Sequence, residues 1–314
     1  MRTYILRRLL IFPVILFAIS LITFSLIRFL PGDAANARLG ASGSQCDTCA
    51  EQVRKELNLD KSKPEQYLIW FKDAIRGDFG LSTYTSERVT PELRMRLGNT
   101  LQLGIATILL TVLIGLPIGI LSAIKAGSWL DYFLRFFSII GLSVPNFWIG
   151  TLVIFMPVIW WGVTPVSDWV GWDQPLEHLR LLLLPALVTA IGGAAYVSRI
   201  TRSSMLEAMS SDHVRTARAK GLKERSVILA HVLRNSLLTL LTIVGLQFGI
   251  VLGGSVVIET IFSIPGLGAW IVTAVSNRDY QIIQATAVIF ALWFLTITLL
   301  TDVLYAWVDP RIRY

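Results

Sequence analysis

Six apolar runs, nearly free of charge, alternate with polar segments along the chain: residues 9–30, 100–124, 133–161, 181–197, 237–258 and 285–307. Most are about 20 residues long, the length a helix needs to cross a hydrocarbon core of roughly 30 Å. A soluble core also absorbs apolar residues, but it rarely gathers them into repeated uncharged runs of that length. The pattern predicts an all-α integral membrane protein with about six transmembrane helices. A further apolar stretch, 261–275, is short and broken by Pro265, Gly266 and Gly268, so it reads as a re-entrant or interfacial turn.

The polar segments divide the chain. Residues 1–31 are expected to form a cytoplasmic N-terminus and the first helix, which Pro31-Gly32-Asp33 ends. Ala35-Asn36-Ala37 imitates a signal-peptide cleavage site, but the preceding run exceeds a typical signal core, so the helix is read as retained. Residues 32–96 form an extracytoplasmic subdomain, 97–308 the core with its remaining spans, and 309–314 a cytoplasmic tail. Basic residues set this orientation: Arg2, Arg7 and Arg8, Lys125, the loop 199–236, and Arg311 and Arg313 all fall on one side, expected to be cytoplasmic. The loop around Asp168, Asp173 and Glu177 has little positive charge. Trp160, Trp161, Trp169 and Trp172 lie close to it, which suits an interfacial belt outside.

Composition strengthens the membrane reading. Of 314 residues, 54% are hydrophobic, and the mean hydropathy is +0.63, against about 45–50% apolar usage in a soluble domain. The net charge of +7 is explained by cytoplasmic loops and requires no nucleic acid.

Ion-coupled carriers need ionisable groups inside the bilayer. Here Asp131, Glu259 and Asp302 sit towards predicted ends, where capping or interfacial solvation accounts for them. A secondary transporter or channel, the rival function, is therefore disfavoured. Neutral polar residues do occur within the runs, and Ser143, Asn146, Gln247 and Ser255 are candidates for a translocation path. Alternatively Pro145 kinks a helix, and the small residues near Gly249, Gly253 and Gly254 permit close packing. An enzyme is also disfavoured: His178, His213 and His231 are scattered, and no nucleophile has a placed base or metal-spaced cluster.

Uphill transport without an internal ion site needs energy from elsewhere, and the chain lacks a Gly-x-x-x-x-Gly-Lys-[Ser/Thr] phosphate cradle. The surface for an energy-supplying partner is expected in loop 199–236. Ser211 or Asp212 caps a helix over 213–220, and Gly221 supplies the left-handed residue that ends it. Arg218 and Lys220 suit its last turn, while Val214, Ala217 and Ala219 offer small apolar surface for a groove. A second helix starts at about Glu224. From charge alone, the loop also fits a solvated basic segment near anionic lipid.

The string Asp212-His213-Val214-Arg215-Thr216-Ala217-Arg218-Ala219-Lys220-Gly221-Leu222, followed by His231-Val232-Leu233-Arg234-Asn235, resembles the cytoplasmic loop of ABC importer permeases of the dipeptide/oligopeptide/nickel type. The resemblance covers most of the chain. It includes Arg7-Arg8-Leu9, Pro31-Gly32-Asp33, Gly77-Asp78-Phe79-Gly80-Leu81-Ser82 and Thr201-Arg202-Ser203-Ser204-Met205-Leu206-Glu207. It continues through Glu259-Thr260-Ile261-Phe262-Ser263-Ile264-Pro265-Gly266-Leu267-Gly268, Arg278-Asp279-Tyr280 and Asp309-Pro310-Arg311-Ile312-Arg313-Tyr314. Ala34, His213, Thr239 and Gln281 depart from the pattern. Thr239 stands where a proline usually begins the fifth span, which leaves open whether the second loop helix breaks from that span or runs into it.

The resemblance implies a type I ABC importer permease fold over the last five spans, with an N-terminal extra helix and the extracytoplasmic subdomain before them. It implies that Arg215, Thr216, Ala217, Arg218, Ala219, Lys220 and Gly221 belong to a coupling helix seated in an ATPase cleft. The implied partners are a second homologous permease subunit, two ABC ATPase subunits and an extracytoplasmic substrate-binding protein. ATP and Mg are then used by partner subunits and no cofactor is bound by this chain. The setting is a bacterial or archaeal inner membrane with both termini cytoplasmic. Peptide is the expected substrate; nickel, glutathione and oligosaccharide are carried by other members. Cys46 and Cys49, separated by Asp47 and Thr48, are read as a local disulfide or free thiols. No second cysteine pair or nearby histidine completes a zinc site.

Overall fold

The computed structural model describes residues 2–29, 51, 54–55, 59–165 and 168–308. The Pro31-Gly32-Asp33 stop, Cys46, Cys49, and Arg311 and Arg313 of the tail lie outside the described residues. Among the described residues the secondary structure is helical, apart from an isolated bridge between Leu81 and Arg88. Helices α1 (Arg2–Phe29), α2 (Lys63–Ile75), α3 (Val89–Ile124), α4 (Trp129–Ser143), α5 (Asn146–Trp161), α6 (Pro175–Ser210) and α7 (Asp212–Ala219) follow in order. Then come α8 (Glu224–Ser226), a π-helical stretch Val227–Leu233, α9 (Arg234–Ile261), α10 (Leu267–Ser276) and α11 (Tyr280–Val308). Four helices are long and apolar enough to cross a membrane, and six spans result when each of two bent pairs counts as one.

The run 133–161 does not form one helix. Helices α4 and α5 meet at 92°, because Pro145 has no amide hydrogen to donate and disfavours helical backbone at the residue before it. Val144 is accordingly extended, φ −92° and ψ 123°. Ser128 starts α4, its hydroxyl accepting from the Asp131 amide. The opposite outcome holds at Thr239: α8, the π-helical stretch and α9 keep right-handed backbone at their junctions, so the loop helix runs into the span. The axis still bends by 47° between 224–237 and 239–249, just beyond the π-helical stretch, a common site of bending.

Two compact units divide these elements. One contains residues 101–264 and the end of α11 from Ile297. Its core is built by Leu103, Leu182, Ala186, Val188, Ile258, Phe262 and Ile264. Close helix approach within it depends on Gly115 and Gly119: a β-carbon at Gly115 would lie 2.6 Å from the Ala194 carbonyl oxygen, and one at Gly119 2.6 Å from that of Ser198. This four-residue spacing puts both glycines on one face of α3.

The other unit contains residues 2–100 and 265–296. Phe79, Val89, Leu93, Leu267, Trp270, Ala274 and Ile282 form its main core. Aromatic contacts join α1 to α2, with Phe24 edge-on to Tyr67 and the Ser20 hydroxyl 2.8 Å from the Tyr67 hydroxyl. The stretch expected as a re-entrant turn contains α10, only 10 residues long and so about 15 Å in length. Its start is fixed by the Leu267 amide, which donates to Thr100 Oγ1 at 2.8 Å. Asn99 Nδ2 donates to the Pro265 carbonyl at 2.9 Å.

Candidate functional site

The loop helix α7 forms where the sequence predicts it, and its end is sharply defined. Gly221 has φ +74°, its amide donates to the Arg218 carbonyl at 2.9 Å, and Leu222 donates to the Ala217 carbonyl at 3.4 Å. This is the paired arrangement that satisfies the last carbonyls of a helix closed by a left-handed glycine. At the other end Ser211 is the cap residue by backbone conformation, φ −73° and ψ 151°, without a side-chain capping bond. Its hydroxyl instead donates to the Ala208 carbonyl at 2.5 Å.

One sequence expectation is corrected here. Val214 and Ala217 do not offer apolar surface to a partner: they are buried in a cluster with Ala123, Met205, Val227 and Val232. Their spacing of three residues puts them on one helix face, and burying a valine there contributes roughly 1.5 kcal/mol or more. The outward face is made by Arg215, Thr216, Arg218, Ala219 and Lys220, with Gly221 and the 43% exposed Leu222 at its end.

Side chains tie α7 to the elements after it. Arg218 binds Glu224 through two hydrogen bonds, Nη2 to Oε1 at 2.7 Å and Nε to Oε2 at 3.2 Å. The guanidinium holds the Glu224 carboxyl below the ordinary carboxylate range. Asn235 Nδ2 donates to His213 Nε2 at 2.6 Å, so His213 links the helix to the start of α9.

A second polar centre joins α3, α4 and α6. Asp131 is fully buried and accepts two hydrogen bonds from Arg202, at 2.8 and 2.9 Å. The Ser122 hydroxyl and the Gly127 amide also donate to it, at 2.6 and 3.0 Å. Interfacial solvation therefore does not explain this carboxylate; the Gly127 amide at the helix start and, above all, an arginine 71 positions along the chain do. Glu259 is likewise fully buried, not solvated at an interface. The pairing of Asp131 has no periodic signature in the sequence, although Arg202 lies within one of the strings that carry the family resemblance.

Beside the pair lies a cleft of about 430 Å³ whose lining includes Ser122, Arg135, Ser138, Ser143, Ser198, Arg199 and Arg202. Among the candidate path residues, Ser143 is exposed on this cleft. Asn146 Nδ2 is bonded to the Thr189 carbonyl at 3.2 Å. Gln247 and Ser255 are buried inside the packed helices, with Gln247 Nε2 3.5 Å from where a β-carbon at Gly193 would sit. The four do not share one lining.

Two further polar sites are assembled from residues distant in sequence, a pairing that no local pattern announces. His178 is buried, with Nδ1 2.8 Å from the Val170 carbonyl and Nε2 2.6 Å from Gln102 Oε1. Trp169 and Trp172 contact its ring, a role beyond the interfacial belt expected of them. In the unit holding α10, Asp279 accepts hydrogen bonds from the Ser82 and Thr83 hydroxyls and from the Thr83 and Ile282 amides. Two distant strings of the resemblance, one around Gly80 and one around Asp279, thus meet.

Comparison with known proteins adds an independent line. Residues 115–314 match the family described as binding-protein-dependent transport system inner membrane component, and residues 1–104 match the corresponding N-terminal family. The dipeptide transport system permease protein DppB of Escherichia coli K12 is 38% identical, over 100% of this chain and 99% of its own. The oligopeptide transport system permease protein AppB of Bacillus subtilis 168 is 40% identical, over 100% of both. In structure, the MetNI methionine ABC transporter in an inward-facing conformation aligns over 69% of this chain and 96% of its own, with TM-score 0.56 and 17% identity. An amino acid ABC transporter with histidines aligns over 71% and 95%, with TM-score 0.53 and 19% identity. These structural matches support the type I importer fold.

Proposed function

This chain belongs to the binding-protein-dependent transport system inner membrane component family, as the permease component of an ABC importer, and from that premise we propose that it forms half of an ATP-driven translocation path for di- or oligopeptides. It is a multi-pass inner-membrane protein and not an enzyme; the family implies ATPase and substrate-binding partners. Full-length similarity to relatives named as dipeptide and oligopeptide permeases carries the substrate reading. Nickel, glutathione and oligosaccharide are the alternative cargoes.

The complete assembly is a pair of homologous permeases, two ABC ATPase subunits and an extracytoplasmic binding protein that delivers the peptide. The basic loops and tail support a cytoplasmic location for both termini, in a bacterial or archaeal cell. ATP and Mg are used in the ATPases. Helix α7 is the coupling element, with Arg215, Thr216, Arg218, Ala219, Lys220 and Gly221 as its contact face. The reading is supported by the helix's rigid closure at Gly221 and by the packing of Val214 and Ala217 into the permease's own core. A push from closing ATPases then reaches α6 and the π-helical stretch through side-chain packing. Ala217 acts from inside that core, by anchoring the helix.

Purification of this chain from its native membrane in mild detergent, with mass spectrometry of the proteins retained, tests the assembly. Recovery of a second permease and ABC ATPases is expected. A chain that purifies alone and still transports would contradict it.

A further inference from the structure

A row of serines and arginines, interrupted by Ile139 and Leu142, lines the cleft between α4 and α6. Arg135, Ser138, Leu142 and Ser143 lie along α4, up to the break at Pro145. Ser198, Arg199 and Arg202 face it from α6. Hydroxyls therefore run from the helix break towards the end where Arg135, Arg199 and Arg202 gather. Three guanidiniums stand there against one carboxylate, Asp131. Arg202 is already held by two hydrogen bonds to that carboxylate. Arg135 is only loosely engaged, its Nε 3.5 Å from Asp131 Oδ1 with no hydrogen bond formed, and its guanidinium stacks over the Tyr132 ring at 4.6 Å. Arg199 is exposed beside the Tyr196 ring.

We propose that this cleft is the cytoplasmic half of the substrate path, and that Arg135 and Arg199 receive the C-terminal carboxylate of the peptide as it leaves. The inference rests on the peptide-importer reading above. Guanidinium groups match the two oxygens of a carboxylate; the Ser138 and Ser143 hydroxyls donate to the Leu134 and Ile139 carbonyls, and their oxygens are left to accept from peptide N–H groups without selecting side chains. The depth of the row favours a path over a lipid headgroup site. A headgroup needs cations only at the membrane surface, whereas Ser138 and Ser143 continue the polar lining to the helix break. Partial exposure keeps the arginine contacts weak enough for release, as conduction requires.

The test uses the complete complex with its binding protein in proteoliposomes, and compares ATP-dependent uptake of trialanine with that of trialanine amide. Loading of the binding protein is saturated for each peptide. In the Arg135→Gln/Arg199→Gln variant, uptake of the free acid is expected to fall roughly fivefold relative to the amide, the scale of a part-exposed ion pair, with ATP hydrolysis retained. Equal loss for both peptides, or no loss, overturns the assignment. So does a loss that follows the anionic lipid content of the vesicles and not the peptide terminus. A wild-type complex that takes up neither peptide overturns the peptide reading itself, and this inference with it.

Discussion

Asp131 and Arg202 form a two-point ion pair, 2.8 Å from Nε to Oδ1 and 2.9 Å from Nη2 to Oδ2, with the carboxylate withdrawn from solvent and 22% of the arginine side chain exposed. The pair fixes the start of α4 against α6. Removing one partner of a buried pair is far more costly than the pair's net contribution, because it strands the other charge.

Asp131→Asn and Arg202→Gln are each expected to destabilise the protein by about 2–3 kcal/mol, at or just below the roughly 3–5 kcal/mol for breaking a fully buried pair because Arg202 retains some water. The double variant should cost clearly less than the two singles combined. Thermal unfolding in detergent of all four proteins measures this; strictly additive losses would show that the residues act independently.

At Gly221 a built β-carbon meets nothing within 4 Å, so substitution there is opposed by backbone conformation alone. Asn tolerates positive φ, Ala does so at about 1 kcal/mol, and a β-branched side chain fares worst. Peptide uptake per ATP hydrolysed should therefore fall in the order Gly, Asn, Ala, Val. Gly221→Val with normal coupling and normal expression would remove α7's closure from the coupling device.

Gly115 and Gly119 give the reverse situation, in which space and not conformation is limiting. Gly119→Ala brings a methyl group into the Ser198 carbonyl and should lower stability by about 1–3 kcal/mol, as overpacking does. Gly98→Ala, on the same helix with nothing within 4 Å of its built β-carbon, is the control and should be neutral or slightly stabilising. Melting temperatures of the two variants separate these effects.

Asp279→Asn replaces a carboxylate that gathers donors from Ser82, Thr83 and Ile282 with a group having one acceptor oxygen. The segment around Ser82–Tyr84 should loosen by about 2 kcal/mol. Trypsin cutting at Arg76 and Arg88 should accelerate while cutting at Lys125 stays constant. Unchanged cutting at all three would show that Asp279 does not hold the segment.

The apolar runs were legible because length and absence of charge are properties of sequence alone. The end of α7 was legible for a similar reason: Gly221 and the basic residues before it are local signals. What escaped depended on distant partners. Nothing near Asp131 announces Arg202, and nothing in the spacing of Val214 and Ala217 says whether that face meets a neighbour subunit or the chain's own core. The break at Pro145 was visible as a proline, but its 92° consequence depends on how Val144 and the helices around it accommodate the missing donor.

On the proposed function, this chain moves peptide inward only as part of an ATP-driven assembly. ATP-dependent uptake of trialanine into uniformly oriented proteoliposomes containing the co-purified complex tests that dependence most directly. Uptake that requires both ATP and the binding protein, and is lost with Gly221→Val although ATP hydrolysis continues, is the predicted result. Uptake by this chain alone, without nucleotide, would contradict it.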